Sequence, residues 1–258
     1  MTERVSYQRD GDLGLITLAH PPLNLFDREL VTEVSEAIDA AAADLPRALM
    51  VRAEGKVFTG GVDVNMFHGL SEADAHEFAE QLIALTHSIE DLPFPTLAVV
   101  HGLCLTAGFE LALACDMIWA AESASFGLVE AVVGVTPFMG GTQRVAERAG
   151  PARARELVMT GGLYPAETLE RWNVVNRVLG DGDLQDKSMA FAERLASGPT
   201  LAHAATKRMV RAFLDEGVRG ADARVGDISG GLFGTEDLQG AVESFLDVGP
   251  GKASFSGR

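Results

Sequence analysis

Short apolar runs alternate with longer helical patterns along most of this chain, and then the apolar runs stop. Gly14–Ala19, Ala48–Arg52, Thr96–Val100, Met117–Ala120 and Val174–Val178 each have the length and composition of a strand. Between them, Asp27–Ala43 predicts a helix capped by Asp27, and Glu72–Glu90 a long one begun by Ser71. Thr106–Ala114, Gly141–Arg148, Ala152–Met159 and Ala166–Arg171 are further helices. From Leu184 onward only helices are expected, at Leu184–Ala196, Thr200–Leu214 and Glu236–Leu246. Gly217, Gly220, Gly226, Gly230 and Gly231 mark a looser stretch before the last of them. Alternation followed by a helical tail predicts an α/β core, residues 1–198, with a C-terminal helical lobe, residues 199–258.

The 258 residues carry a net charge of −16, which argues against nucleic acid or an anionic membrane as the main partner. An apolar content of 47% excludes disorder. The longest charge-free run, Leu92–Phe109, is interrupted by Pro93, Pro95, His101, Gly102 and Gly108, so no membrane span is expected. Met1–Asp10 is polar and unlike a secretory signal. Cys104 and Cys115 lie in apolar surroundings and suit a reduced, cytoplasmic setting, as structural filler.

Several chemistries have no support. His76-Glu77-Phe78-Ala79-Glu80 lacks the second histidine of a zinc protease helix, and the cysteines do not have metal-ligand spacing. Neither a phosphate-binding loop, a Gly-x-Ser-x-Gly elbow nor a Gly-x-Gly-x-x-Gly fingerprint is present. Two glycine-bearing turns trailed by acids do stand out: Lys56-Val57-Phe58-Thr59-Gly60-Gly61-Val62-Asp63-Val64, and His101 through Leu111. Such turns leave peptide N–H groups pointing outward, and the second opens a helix whose first N–H groups lack internal partners. They read either as plain loops or as donors to a developing negative charge. Glu110 and Glu130 are each lone acids in apolar runs. Each is either solvated or paired, or else used; two such acids are what general acid/base work on one water requires.

Taken in order, these segments resemble the crotonase (enoyl-CoA hydratase/isomerase) superfamily over nearly the whole chain. The resemblance is carried by Pro21-Pro22-Leu23-Asn24-Leu25-Phe26-Asp27, by Phe58–Val64, and by Gly102–Asp116. It continues through Ser125-Phe126-Gly127 to Gly140-Gly141-Thr142-Gln143-Arg144, then Phe233–Asp237 and Phe255–Arg258. It implies a spiral of ββα units followed by helices that assemble homotrimers or homohexamers. It places the oxyanion-hole donors at the backbone N–H groups of Val62 and Ala107, and the two acids of the hydratase subgroup at Glu110 and Glu130. Val62, Asp63, Val64 and Asn65 would line the path of a coenzyme A thioester. Lys56 would be a phosphate contact or a solvated lysine.

The activity so implied is syn addition of water to a 2-trans-enoyl-CoA, with no metal or redox cofactor. The enzymatic alternative is Δ3,Δ2-enoyl-CoA isomerisation, with Glu130 shuttling the proton; the other rival is a non-catalytic acyl-CoA carrier. Two residues depart from the family pattern. Thr106-Ala107-Gly108 stands where three glycines are usual, which keeps the Ala107 N–H but constrains the turn. Phe138 replaces a small residue near the second acid, and either narrows the acyl end of the pocket or packs in the core.

Overall fold

The computed structural model describes residues 4–258, so Met1–Glu3 of the polar N-terminal segment lie outside it. Six strands form one sheet in the order β1 (Val5–Asp10), β2 (Leu13–Leu18), β3 (Ala48–Ala53), β4 (Thr96–Val100), β6 (Met117–Ala121) and β9 (Arg177–Leu179). Only the β1–β2 pair is antiparallel; the rest run parallel. Every residue of β2 and of β4 is buried, as expected of parallel strands covered on both faces. A second, short sheet holds β5 (Leu103–Leu105), β7 (Ser125–Gly127) and β8 (Tyr164–Pro165).

The helices are α1 (Arg28–Asp44), α2 (Glu72–Glu90), α3 (Thr106–Ala114), α4 (Gly141–Ala149), α5 (Pro151–Thr160), α6 (Ala166–Arg171), α7 (Leu184–Ala196), α8 (Thr200–Ser229) and α9 (Glu236–Val248). Local chemistry sets their starts. Asp27 caps α1 by accepting the Leu30 N–H at 2.7 Å, and Ser71 and Asp74 form a reciprocal capping box on α2.

Three expectations need correction. The strand expected at Val174–Val178 begins only at Arg177, because Val174 and Val175 are buried in a turn where both N–H groups donate to the Leu169 carbonyl. β1, β5, β7 and β8 were not foreseen: β1 has a largely charged, exposed outer half, and the others are too short to carry a period. The glycine-marked stretch after Leu214 is helical, since α8 continues to Ser229 with a break only at Gly217 (φ 72°, ψ 178°). Ala212, Ala221 and Ile228 are buried on either side of that break, and this packing outweighs the roughly 1 kcal/mol that each further glycine costs a helix.

The main core ends at Ala196, and a small second core joins Ala205, Ala212, Ala221 and Ile228 with Met209 and Leu232. Polar ties bind the tail to the rest. Lys207 Nζ lies 2.9 Å from Asp116, and Arg47 donates to the Gly198 carbonyl and to Thr200 Oγ1. Val210, Phe213, Leu214, Phe233, Phe245 and Leu246 are exposed along the tail. No helix among the described residues is long and apolar enough to cross a membrane.

Candidate active site

The two glycine-bearing turns are joined through Thr59. Its N–H donates to the Leu103 carbonyl at 2.9 Å, and its own carbonyl accepts the Leu105 N–H at 3.3 Å. Its hydroxyl donates to the Asn24 carbonyl and accepts the Gly61 N–H at 2.9 Å. Asn24, 2% exposed and in the left-handed region (φ 49°), pins the other side of the first turn. Its amide donates to the carbonyls of Glu54, Val57 and Phe58. The Phe26 N–H on the Gly61 carbonyl and the Asp63 N–H on the Phe26 carbonyl then bracket Val62.

Among the described residues, neither the Val62 nor the Ala107 N–H has a protein acceptor. Ala107 is the second residue of α3, where the helix leaves its N–H groups unpaired and its dipole favours negative charge. The constraint expected of the Thr106-Ala107-Gly108 turn falls on Thr106, a β-branched residue at φ 47°. Gly108 lets the turns meet: a Cβ there would overlap the Thr59 side chain.

Three residues beyond Ala107, on the same face of α3, Glu110 is 2% exposed. Its Oε1 accepts the N–H groups of Met139 and Gly141, both at 2.8 Å. Glu130 opens a short 3-10 turn, Glu130–Val133; it is 8% exposed, and its Oε2 has no protein partner. Burial and then the neighbouring Glu130 push the Glu110 carboxyl up to about 8, against the two backbone donors and Arg144. Burial raises Glu130 to about 7.

Val62, Ala107, Glu110, Glu130 and Phe138 all line one pocket. Apart from Thr136, the rest of its wall is apolar or aromatic, including Phe26, Met66, Phe67, Phe78 and Met139. Phe138 is half-buried, with its ring centroid 6.5 Å from that of Phe67. These wall residues escaped sequence reasoning because an apolar side chain in a loop or at i, i+4 on a helix, as Phe78 and Leu82 are, has the signature of ordinary core.

Lys56, Asp63, Val64 and Asn65 stand outside this pocket. Lys56 is exposed, and Val64 is 55% exposed. The Asp63 carboxylate is engaged as a cap, accepting the Asn65 backbone and side-chain N–H groups at 3.0 and 2.7 Å.

Two backbone N–H groups without protein acceptors and two buried acids pushed up toward neutrality, on residues that line one pocket, suit stabilisation of an enolate while protons move. Residues 8–255 match the family model described as enoyl-CoA hydratase/isomerase. The chain belongs to this family. It is 34% identical over 262 residues to a Rhizobium meliloti protein named Probable enoyl-CoA hydratase, covering 99% of each. It is 37% identical over 214 residues to the carnitinyl-CoA dehydratase of Salmonella enteritidis, covering 82% of each. Among solved structures, enoyl-CoA hydratase subunit I of Geobacillus kaustophilus superposes with a TM-score of 0.92 at 32% identity, covering 99% of this chain and 98% of that one. Enoyl-CoA hydratase from Bacillus anthracis gives a TM-score of 0.91 at 25% identity, covering 99% of this chain and 100% of that one. The family assignment and these superpositions establish the crotonase fold.

Proposed function

We propose that this family member is an enoyl-CoA hydratase that adds water syn across a 2-trans-enoyl-CoA to give a 3-hydroxyacyl-CoA. The observation that carries the reading is that Glu110 and Glu130 line the same pocket as Val62 and Ala107, whose N–H groups have no acceptor among the described residues. Those two donors polarise the thioester oxygen and hold the enolate-like intermediate. One carboxylate takes a proton from the water as its oxygen bonds to the β-carbon. The other, protonated, delivers a proton to the α-carbon, so the pair finishes with the proton count it began with. Acids raised to about 8 and about 7 can share one proton near neutral pH, as this exchange requires. No metal or redox cofactor enters the scheme.

The largely apolar, aromatic wall favours an uncharged acyl group. Phe78, one of the rings in that wall, already carries the Arg28 guanidinium 4.7 Å from its centroid. Lys56 is available to a phosphate of coenzyme A, and Asp63, Val64 and Asn65 would flank the thioester's path beyond Val62. The exposed apolar residues of the tail would bury against further copies of the chain in a trimer or hexamer. A cytoplasmic location fits the two unpaired, buried cysteines.

Loss of crotonyl-CoA absorbance on mixing with the protein tests the reading. Turnover of a 3-enoyl-CoA in its place would favour isomerisation, and binding without turnover of either would leave a carrier.

A further inference from the structure

The signature Gly140-Gly141-Thr142-Gln143-Arg144 contributes no group to the scheme above, yet each of three of its residues makes a contact that leads to Glu110. Arg144 is only 7% exposed. Its Nε and Nη2 grip both oxygens of Glu90, the last residue of α2, at 2.8 and 2.6 Å. Its Nη1 donates to the carbonyls of Met139 and Gly140 at 3.2 and 3.3 Å. The peptide group between Gly140 and Gly141 is therefore held at both ends: its carbonyl accepts from Arg144, and its N–H donates to Glu110 Oε1.

The two glycines follow from these contacts. Gly140 adopts φ 89°, and a Cβ there would overlap the Arg144 guanidinium. A Cβ on Gly141 would lie 2.8 Å from Glu110 Cγ. Either side chain would displace the group that the chain of bonds exists to hold.

We propose that Arg144, braced on Glu90, is a positioning residue for Glu110. It fixes the Met139–Gly141 turn so that two N–H groups converge on Oε1 and the other carboxyl oxygen faces the reacting water. A bidentate guanidinium can grip one carboxylate and two carbonyls at once; an ammonium on a flexible stem cannot hold that geometry. Polarisation along the chain strengthens each bond in it. The groups acting on Glu110 are Glu130 from the 3-10 turn, Arg144 from α4 and the N–H groups of Met139 and Gly141.

The proposal rests on the hydratase reading, so its test includes a readout that needs no turnover. Infrared or ¹³C titration of the Glu110 carboxyl, assigned against E110Q, is made on the full-length wild-type protein and on the double variant E90Q/R144M. The double variant removes the buried Arg144 charge together with its half-buried Glu90 partner, so neither is left facing the other's empty place. Glu110 is expected to titrate at higher pH in the variant, because it loses the cation and the ordered donors together. With crotonyl-CoA, kcat is expected to fall about 10²-fold and KM to stay within a few-fold, the pattern of a misplaced catalytic group. A titration that does not move, or a kcat within twofold of wild type, overturns the proposal. A fall in kcat with an unmoved titration also overturns it, since a merely structural role would give that result. If the double variant does not fold, R144K decides alone: a wild-type kcat there would show that the fork is not needed. Failure of the wild type to hydrate crotonyl-CoA would sink the functional reading and leave the titration as an independent test.

Discussion

Gly141 is a glycine because Glu110 occupies the space its side chain would need. The backbone of Gly141 is ordinary helix, but a Cβ would meet Glu110 Cγ at 2.8 Å and Oε1 at 3.1 Å. The same residue supplies one of the N–H groups that hold that carboxylate. Close approach and hydrogen bond are two aspects of one contact.

G141A should therefore cripple the site without removing any chemical group. In an exposed helix, alanine would be the stabilising choice; here its methyl has to push the Glu110 carboxylate away from its donors. A displacement of about 1 Å is enough for a loss on the order of 10² in kcat. Steady-state kinetics with crotonyl-CoA checks this, and a variant with full activity would show that the contact relaxes at no cost.

E110Q and E130Q should each lower hydration by about 10²–10⁴, with acyl-CoA affinity changed only a few-fold, because the thioester donors are backbone groups. Their effect on stability has the opposite sign. The folded protein holds these carboxyls at about 8 and about 7, above the usual unfolded value near 4.3. Below pH 4 both states are protonated, and the contribution of the pair to stability is fully present. Between there and pH 8 the unfolded chain releases its protons first, so that contribution is lost as pH rises. Each glutamine variant should thus melt higher than wild type at pH 8, and the gap should close toward pH 4. Melting curves across that range decide it; equal Tm at pH 8 would mean the carboxyls are not strained by burial.

Phe138 lines the pocket beside Phe67. Each buried methylene contributes about 0.8 kcal/mol, so excluding several shifts chain-length preference by orders of magnitude. F138A should raise kcat/KM for long-chain enoyl-CoA thioesters relative to crotonyl-CoA. A flat selectivity profile accompanied by a lower Tm would make the ring a packing element only.

Removing residues 199–258 should leave an aggregating or unstable product. The deletion strips the Lys207 partner from Asp116 and the Thr200 hydroxyl from Arg47. The intact chain should self-associate through Val210, Phe213, Leu214, Phe233, Phe245 and Leu246, exposed on one copy. Light scattering on both proteins checks this; a stable, active monomer lacking the tail would refute it. Leu232 is not part of that surface, since it packs into the tail's own small core.

Much of the architecture was legible because it is locally encoded. Asp27, Ser71 and the helical periods between them and Asp44 or Glu90 act within a few residues, so α1, α2 and α3 could be placed to within a residue. Strands of two or three residues, such as β8 and β5, gain their identity only from a partner and had no local signal. Gly217 marked a real break, but burial of Ala212 and Ala221 on either side decided that the chain remains helical around it.

The sequence by itself determined the alternation of strands and helices, the caps, and which two lone acids and two glycine-bearing turns could be chemical. Tertiary structure decided that Val62, Ala107, Glu110 and Glu130 line one pocket. The donors to Glu110 come from 29 and 31 residues away, and Asn24 pins a turn 30 to 34 residues along the chain. Which backbone N–H groups stay unpaired at Val62 and Ala107, how far burial lifts each carboxyl, and which loop Arg144 can reach depend on such distant contacts, and no short-range pattern of residue types specifies them.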